Sequence, residues 1–140
     1  MDLIRAPLSD STRGDQEILL PVERQTLAKL RWHHTAEDGR EFGFNLAKPL
    51  HDGASFFQAD GATYRIAQQP EVVVEIPLAT PRDSARLGWL IGNLHFPIEL
   101  AGDFIYAADD PALRQMLDRE EIPFAEASRV FHPARHGHVH

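Results

Sequence analysis

The sequence predicts an α+β protein in two parts, a small N-terminal all-β domain followed by a ferredoxin-like βαββαβ domain. Two observations carry this expectation. Three Asp-Gly pairs, Asp38-Gly39, Asp52-Gly53 and Asp60-Gly61, punctuate short apolar runs in the first half. Asp-Gly supplies the positive φ angles of tight hairpin turns, so the clustering points to a small β unit. At Gln68-Gln69-Pro70 the rhythm changes. Beyond it, segments read as strand, helix, strand, strand, helix, strand, the split β-α-β order that packs two helices on one face of an antiparallel sheet. The expected boundaries are 1–69 for the first domain, 70–131 for the second, and 132–140 for a His-rich C-terminal tail.

Each element has a local reason. Met1 to Asp15 is polar, with Ser9-Asp10-Ser11-Thr12 and Gly14-Asp15, and reads as a short first strand or lead-in followed by a loop. Ile18-Leu19-Leu20 is a brief apolar run, expected to end at Pro21. Leu27, Leu30 and Trp32 mark a longer run. Phe42, Phe44 and Leu46 alternate with Glu41, Gly43 and Asn45, the period of a half-buried strand. Phe56-Phe57 and Tyr64-Arg65-Ile66 complete the β set. Glu71 to Ile76 is rich in β-branched residues and reads as a strand. Thr80-Pro81-Arg82-Asp83 starts a helix: Thr80 as N-cap, Pro81 at the first helical position, Asp83 near the positive end of the dipole. Leu87, Leu90, Ile91 and Leu94 then recur at helical spacing. Gly92 and Asn93 are expected to close this helix in the left-handed conformation. Ala101-Gly102-Asp103 reads as a hairpin, Asp110-Pro111 as a second helix start, and Ile122-Pro123-Phe124 as the entry to a last strand running toward Val130.

Composition excludes several classes. Hydrophobic residues make up 43% and charged residues 25% of 140 residues, an ordinary globular balance. No apolar run approaches the ~20 residues of a membrane span, and no secretory signal pattern is present, so a cytoplasmic protein without membrane contact is expected. The absence of Cys excludes disulfides and thiolate metal sites. A net charge of −7 argues against nucleic-acid binding, which needs a basic face. Each part is small enough that mutual packing or dimerisation is expected to contribute to stability.

The histidines are the strongest compositional signal. Of eight, His132, His136, His138 and His140 crowd the C-terminal end. Imidazole suits Ni, Cu and Zn, and an alternating His-x-His-x-His run can bring several rings to one cation. His95 lies between Leu94 and Phe96, at a corner made by the helix stop and by Pro97. It reads either as a structural residue bonded to backbone or as a metal ligand. Alone it makes no tight site; in a two-fold dimer with His95 near the axis, symmetry would present it twice, and the tails of both chains would complete a four- to six-ligand N/O site of the kind Ni(II) accepts. Binding requires neutral imidazoles, so affinity is expected to fall below about pH 6.5. His33 and His34 are adjacent on a strand, point to opposite faces and read as surface residues. His51 precedes a turn and reads as exposed. Asp109-Asp110 is explained better by helix capping at Asp110 than as a carboxylate pair. No nucleophile elbow, P-loop or dinucleotide fingerprint is present, so no case for catalysis arises.

The two-part layout, the segment Leu90-Ile91-Gly92-Asn93-Leu94-His95-Phe96-Pro97 and the His-rich tail resemble the urease accessory nickel metallochaperones, the UreE family. Glu37-Asp38-Gly39-Arg40-Glu41 and Leu50-His51-Asp52-Gly53 are similar to segments of that family's N-terminal domain. The family's Gly-Asn-x-His-x-Pro motif is matched by Gly92, Asn93, His95 and Pro97. The resemblance implies a homodimer joined through the second domains, with His95 of each subunit meeting Ni(II) cargo at the interface. It implies tail histidines as additional ligands, His136, His138 and His140 foremost and His132 as a further candidate. Zn(II) or Cu(II) can substitute by shared imidazole chemistry. It also implies delivery to the urease apoprotein together with accessory proteins including a GTPase, and an N-terminal domain that binds peptide or partner. The chain departs from the pattern at Tyr106-Ala107-Ala108-Asp109, where some members carry a second His pair, so no secondary site is expected there. The tail is short beside those of some members, so no large nickel store is expected. Two other classes compete. One is an interaction adaptor whose tail binds metal incidentally. The other is a small metal-dependent hydrolase using His33, His34 or His51, which would need a carboxylate ligand and an open coordination position.

Overall fold

The chain divides into two compact units, Met1–Gln69 and Pro70–His140. The computed structural model describes residues 1–9 and 16–134. The loop expected over 10–15, and tail residues His136, His138 and His140, lie outside the described residues.

The first unit contains β1 (Asp2–Ile4), β2 (Gln16–Val22), α1 (Arg24–Leu27), β3 (Arg31–Thr35), β4 (Glu41–Asn45), β5 (Ser55–Ala59) and β6 (Ala62–Gln68). They form two three-stranded sheets, ordered β1-β4-β3 and β2-β6-β5. β1 runs parallel to β4, and β2 parallel to β6. Alternation along β4 sends Phe42 and Phe44 inward, where an aromatic cluster fills the core. The Phe42 ring packs edge-on against Phe56 at 5.0 Å and Tyr64 at 5.1 Å, and Trp32 stacks on Phe44 at 3.9 Å. Such pairings add to the area these rings bury.

Three local expectations are corrected here. The unit is not wholly β: residues Arg24–Leu27 make one helical turn that buries Leu27. β2 does not stop at Pro21 but runs through it, with Pro21 opposite Ala67. A missing N–H is tolerated because β2 lies at the edge of its sheet. Of the three Asp-Gly pairs, two join antiparallel neighbours, Asp38-Gly39 between β3 and β4 and Asp60-Gly61 between β5 and β6. Asp52-Gly53 instead lies between β4 and β5, which belong to different sheets. There the Asp52 carboxylate accepts the backbone N–H of Gln68 at 2.8 Å, and Gly53 takes φ 84°. The Asp-Gly pair serves as a side-chain-stapled turn rather than a hairpin.

The second unit runs β7 (Glu71–Pro77), α2 (Pro81–Asn93), β8 (Ile98–Ala101), β9 (Phe104–Ala108), α3 (Pro111–Arg119) and β10 (Ala125–Arg129). Its four strands are ordered β10-β7-β9-β8, every neighbouring pair antiparallel. Alternation splits the sheet residues by face. Val74, Ile76, Ile105 and Ala107 join Leu87 and Ile91 of α2 and Leu113, Met116 and Leu117 of α3 in one core. Val73 and Tyr106 point to the other face, where Phe131 covers them. The helix starts follow the capping logic of the sequence. Thr80 Oγ1 accepts the Asp83 N–H at 3.1 Å, and Asp110 Oδ1 accepts the Ala112 N–H at 2.8 Å. Among the described residues no helix is long and apolar enough to cross a membrane.

Candidate metal centre

Helix α2 carries the first candidate ligand at its C-terminal end. Leu87 and Ile91 anchor the helix in the core, so its last turn is fixed against the sheet. The final turn tightens: the Leu94 N–H bonds the Ile91 carbonyl at 3.1 Å and the His95 N–H bonds the Gly92 carbonyl at 3.0 Å. The left-handed residue is not Gly92 or Asn93, as the sequence leads one to expect. Both remain helical, and His95 itself turns the chain, at φ 60°. Phe96 explains the shift, because it must reach back to pack on the core of the unit while Pro97 already closes off helical continuation. A left-handed histidine costs on the order of 1 kcal/mol, and such strain tends to be retained where a side chain must be aimed.

The result is a presented histidine. His95 is exposed, as are Gly92, Asn93 and Leu94 around it. Among the described residues its ring has no hydrogen-bond partner. Among the described residues, no backbone group bonds the ring as the structural reading of this histidine expects. His95 follows the last turn of α2, whose carbonyl end is the negative end of the helix dipole and favours a nearby cation by about 0.3–1 kcal/mol.

The chain after β10 returns toward the same end of the sheet. β10 and β8 occupy opposite edges. Between them, residues 130–134 cross the face that carries no helix. Phe131 is fully buried against Val73 and Tyr106, and the Arg129 guanidinium lies 4.0 Å from the Tyr106 ring centre. Glu99 of β8 receives this segment with both carboxylate oxygens. One accepts from Arg129 at 3.2 Å and the other from the His132 backbone N–H at 3.0 Å. The Ala134 N–H then bonds the Ile98 carbonyl at 2.8 Å. His132 is exposed at the β8 edge. Its partner Glu99 was not singled out from the sequence, because a lone Glu in a short strand carries no local signal of a long-range contact.

The described residues contain no group of three or more potential ligands. His95 and His132 are therefore the described members of the candidate set. His33, His34 and His51 are exposed in the first unit. Asp109 pairs with Arg114 at 2.6 Å, and Asp110 caps α3, so neither carboxylate is left for chemistry. Arg114 also bonds Glu126 at 3.1 Å, and the two carboxylates hold its guanidinium more firmly protonated than usual.

A second polar constellation lies in the first unit. The Tyr64 hydroxyl donates to Asp38 at 2.5 Å, and this bond, helped by the Arg40 backbone N–H, holds the Asp38 carboxyl below its ordinary range. The same bond, with burial, pushes the Tyr64 hydroxyl up. Arg40 pairs with Asp2 at 2.9 Å and lies 4.7 Å from the Phe57 ring centre. Each of these side chains is held by a hydrogen bond or an ion pair, so the group reads as a cross-link rather than a reactive site.

Comparison with known proteins shows what the chain is similar to. The family model described as UreE urease accessory protein, C-terminal domain, matches residues 71–140. A urease accessory protein UreE from Synechococcus sp. (strain JA-3-3Ab) is 33% identical over 122 residues, covering 84% of this chain and 80% of the relative. One from Pseudomonas putida (strain GB-1) is 30% identical over 131 residues, 86% of this chain and 78% of the relative. One from Nitrosococcus oceani is 27% identical over 128 residues, 90% of this chain and 75% of the relative.

Proposed function

Because the chain belongs to the UreE family of urease accessory proteins, we propose that it is a nickel carrier for urease maturation. It is an accessory protein and not an enzyme. In this reading Ni(II) is cargo, handed to the urease apoprotein with the help of other accessory proteins, a GTPase among them. The observation that carries it is His95, exposed, lacking a described partner and held in a strained backbone at the negative end of α2.

The working form is a homodimer in which both copies of His95 meet one ion. Exposed apolar residues near His95 support this: Trp89 at 67% and Leu94 at 40% exposure want cover. Gly88 and Gly92 lie on the same helix with open space where a side chain would stand, so another backbone can approach closely. The β10-β7-β9-β8 order supports a ferredoxin-like assignment for the second unit. The tail residues His136, His138 and His140, with His132, supply the remaining imidazoles. Zn(II) or Cu(II) competes through the same ligands. The first unit acts as a peptide- or partner-binding domain, and the carrier works in the cytoplasm.

Nickel titration by calorimetry, with the oligomeric state checked, tests the reading. The intact chain binds about one tight ion per dimer, as two-fold symmetry at His95 requires. His95→Ala loses that site. Unchanged binding by His95→Ala, with loss only when the tail is removed, would instead favour an adaptor whose tail takes up metal incidentally.

A further inference from the structure

We propose that the first unit takes up its partner on the outer face of the β1-β4-β3 sheet, and that the partner offers this face an acidic protein segment carrying apolar side chains. The inference deepens the partner-binding reading of the first unit and rests on it. Side chains along a strand alternate between the two faces of a sheet. Ile4, Trp32, Phe42 and Phe44 turn inward and are buried. Leu3, Gly43 and His33 pair in one row across the three strands and turn outward. Gly43 gives that row no side chain of its own. A Cβ there would stand 3.3 Å from the Met1 Cε and 3.7 Å from the Leu3 Cδ1, so both side chains lie over the glycine. Neither is covered: Met1 is 82% and Leu3 54% exposed. The row forms a small, flat apolar centre open to solvent.

The charges around this centre are sorted. β1 and β4 end, and β3 begins, at the same end of the sheet. Just beyond the ladder the Leu46 N–H bonds the Leu30 carbonyl at 2.9 Å. Arg31 opens β3 opposite Asn45, Lys29 and Lys48 lie within two residues of that bond, and Arg5 follows Ile4 of β1. All four cations are exposed, and none makes an ion pair among the described residues. Arg40 and Arg65 of the same unit, by contrast, are held by Asp2 and Glu17. Lys29 and Lys48 are the only lysines of a chain whose net charge is −7, and both stand at this end. Glu41, which also turns outward, lies at the opposite end, across from Thr35. Unpaired cations beside uncovered apolar side chains are complementary to carboxylates beside apolar side chains. A nucleic acid would answer the cations but not the apolar centre, and the net charge opposes it. Attachment to a membrane surface scales with buried apolar area, which two side chains supply poorly.

Fluorescence anisotropy of a labelled synthetic octapeptide alternating Leu and Glu, titrated with the full chain, tests this. A peptide alternating Leu and Lys and vesicles of anionic phospholipid serve as comparisons. The Leu-Glu peptide is expected to bind, less tightly as salt rises, and the Leu-Lys peptide is expected not to. Reversing three charges together, Lys29→Glu with Arg31→Glu and Lys48→Glu, should weaken the Leu-Glu complex by about tenfold or more without lowering the melting temperature. Leu3→Ser should weaken it by about threefold. Should the triple variant fold poorly, Lys29→Glu with Lys48→Glu reads the same loss in smaller measure. No binding of the Leu-Glu peptide overturns the proposal, as does equal binding of the two peptides. Binding of the vesicles in place of the peptide would assign the cations to a lipid surface and overturn it too. A photoreactive group on the peptide separates the remaining failures. Attachment elsewhere in the first unit, with the variants binding as the parent does, overturns this face and leaves the partner-binding reading standing. Attachment in the second unit alone overturns both.

Discussion

The two units treat their histidines in different ways. The first closes its own core: Phe42, Phe44, Phe56, Tyr64 and Trp32 pack ring against ring, and its turns are stapled by Asp38 and Asp52. His33 and His34 lie on an ordinary strand, exposed and without backbone strain. The second leaves Trp89, Leu94 and Leu100 exposed, and it sets His95 in a backbone conformation that histidine does not favour. The difference separates exposure from presentation. An exposed histidine is common; one fixed at a strained corner, beside uncovered apolar surface, is what a metal-sharing interface needs.

The largest expected effect tests the closed half. Phe42 is fully buried at the centre of the aromatic cluster. Phe42→Ala is expected to cost about 3–5 kcal/mol in that unit. Trp32, buried in the first unit, and Trp89, exposed in the second, report the two separately by fluorescence. A denaturant titration in which both probes shift equally would break the contrast.

A smaller effect is expected at the start of α2. Thr80→Ala removes the cap on Asp83 and should cost about 1 kcal/mol, read in the second unit by the loss of α2 helicity on denaturation. The next prediction has the opposite sign. His95→Gly relieves the left-handed strain, so it should raise thermal stability by less than about 1 kcal/mol while abolishing tight nickel binding. Lowered stability in His95→Gly would mean that the corner is held by contacts of the ring rather than strained for its sake.

Much of this organisation was legible in the residues. Thr80-Pro81 and Asp110-Pro111 marked helix starts because capping is local chemistry. What escaped was set by distant partners. Pro21 looked like a stop because nothing nearby says that its strand lies at a sheet edge. Asp52-Gly53 looked like a hairpin because the turn residues are the same whether the flanking strands pair or part. The left-handed residue fell at His95 rather than Gly92 because the burial of Phe96, a tertiary contact, overrode local preference. Glu99 gave no signal at all, since its partners lie 30 and 33 positions away.

The smallest expected effect is a pH profile in the first unit. Asp38 is held below its ordinary value of 3.8, so the folded state binds fewer protons there and stability falls as pH drops below that value. Tyr64 is held above its ordinary value of 10.0, so the folded state keeps its proton longer and stability falls as pH rises above that value. Tyr64→Phe should therefore be less stable than the parent between about pH 4 and 10, with the two curves converging at both ends. A difference constant across all pH would place the effect in packing rather than in the hydroxyl bond.

The most direct measurement is a nickel titration of the intact chain and of His95→Ala under identical conditions. The carrier account predicts about one tight ion per dimer for the intact chain, and no tight ion once His95 is replaced. Equal tight binding by both would contradict it, leaving the strained corner of α2 without a metal to serve.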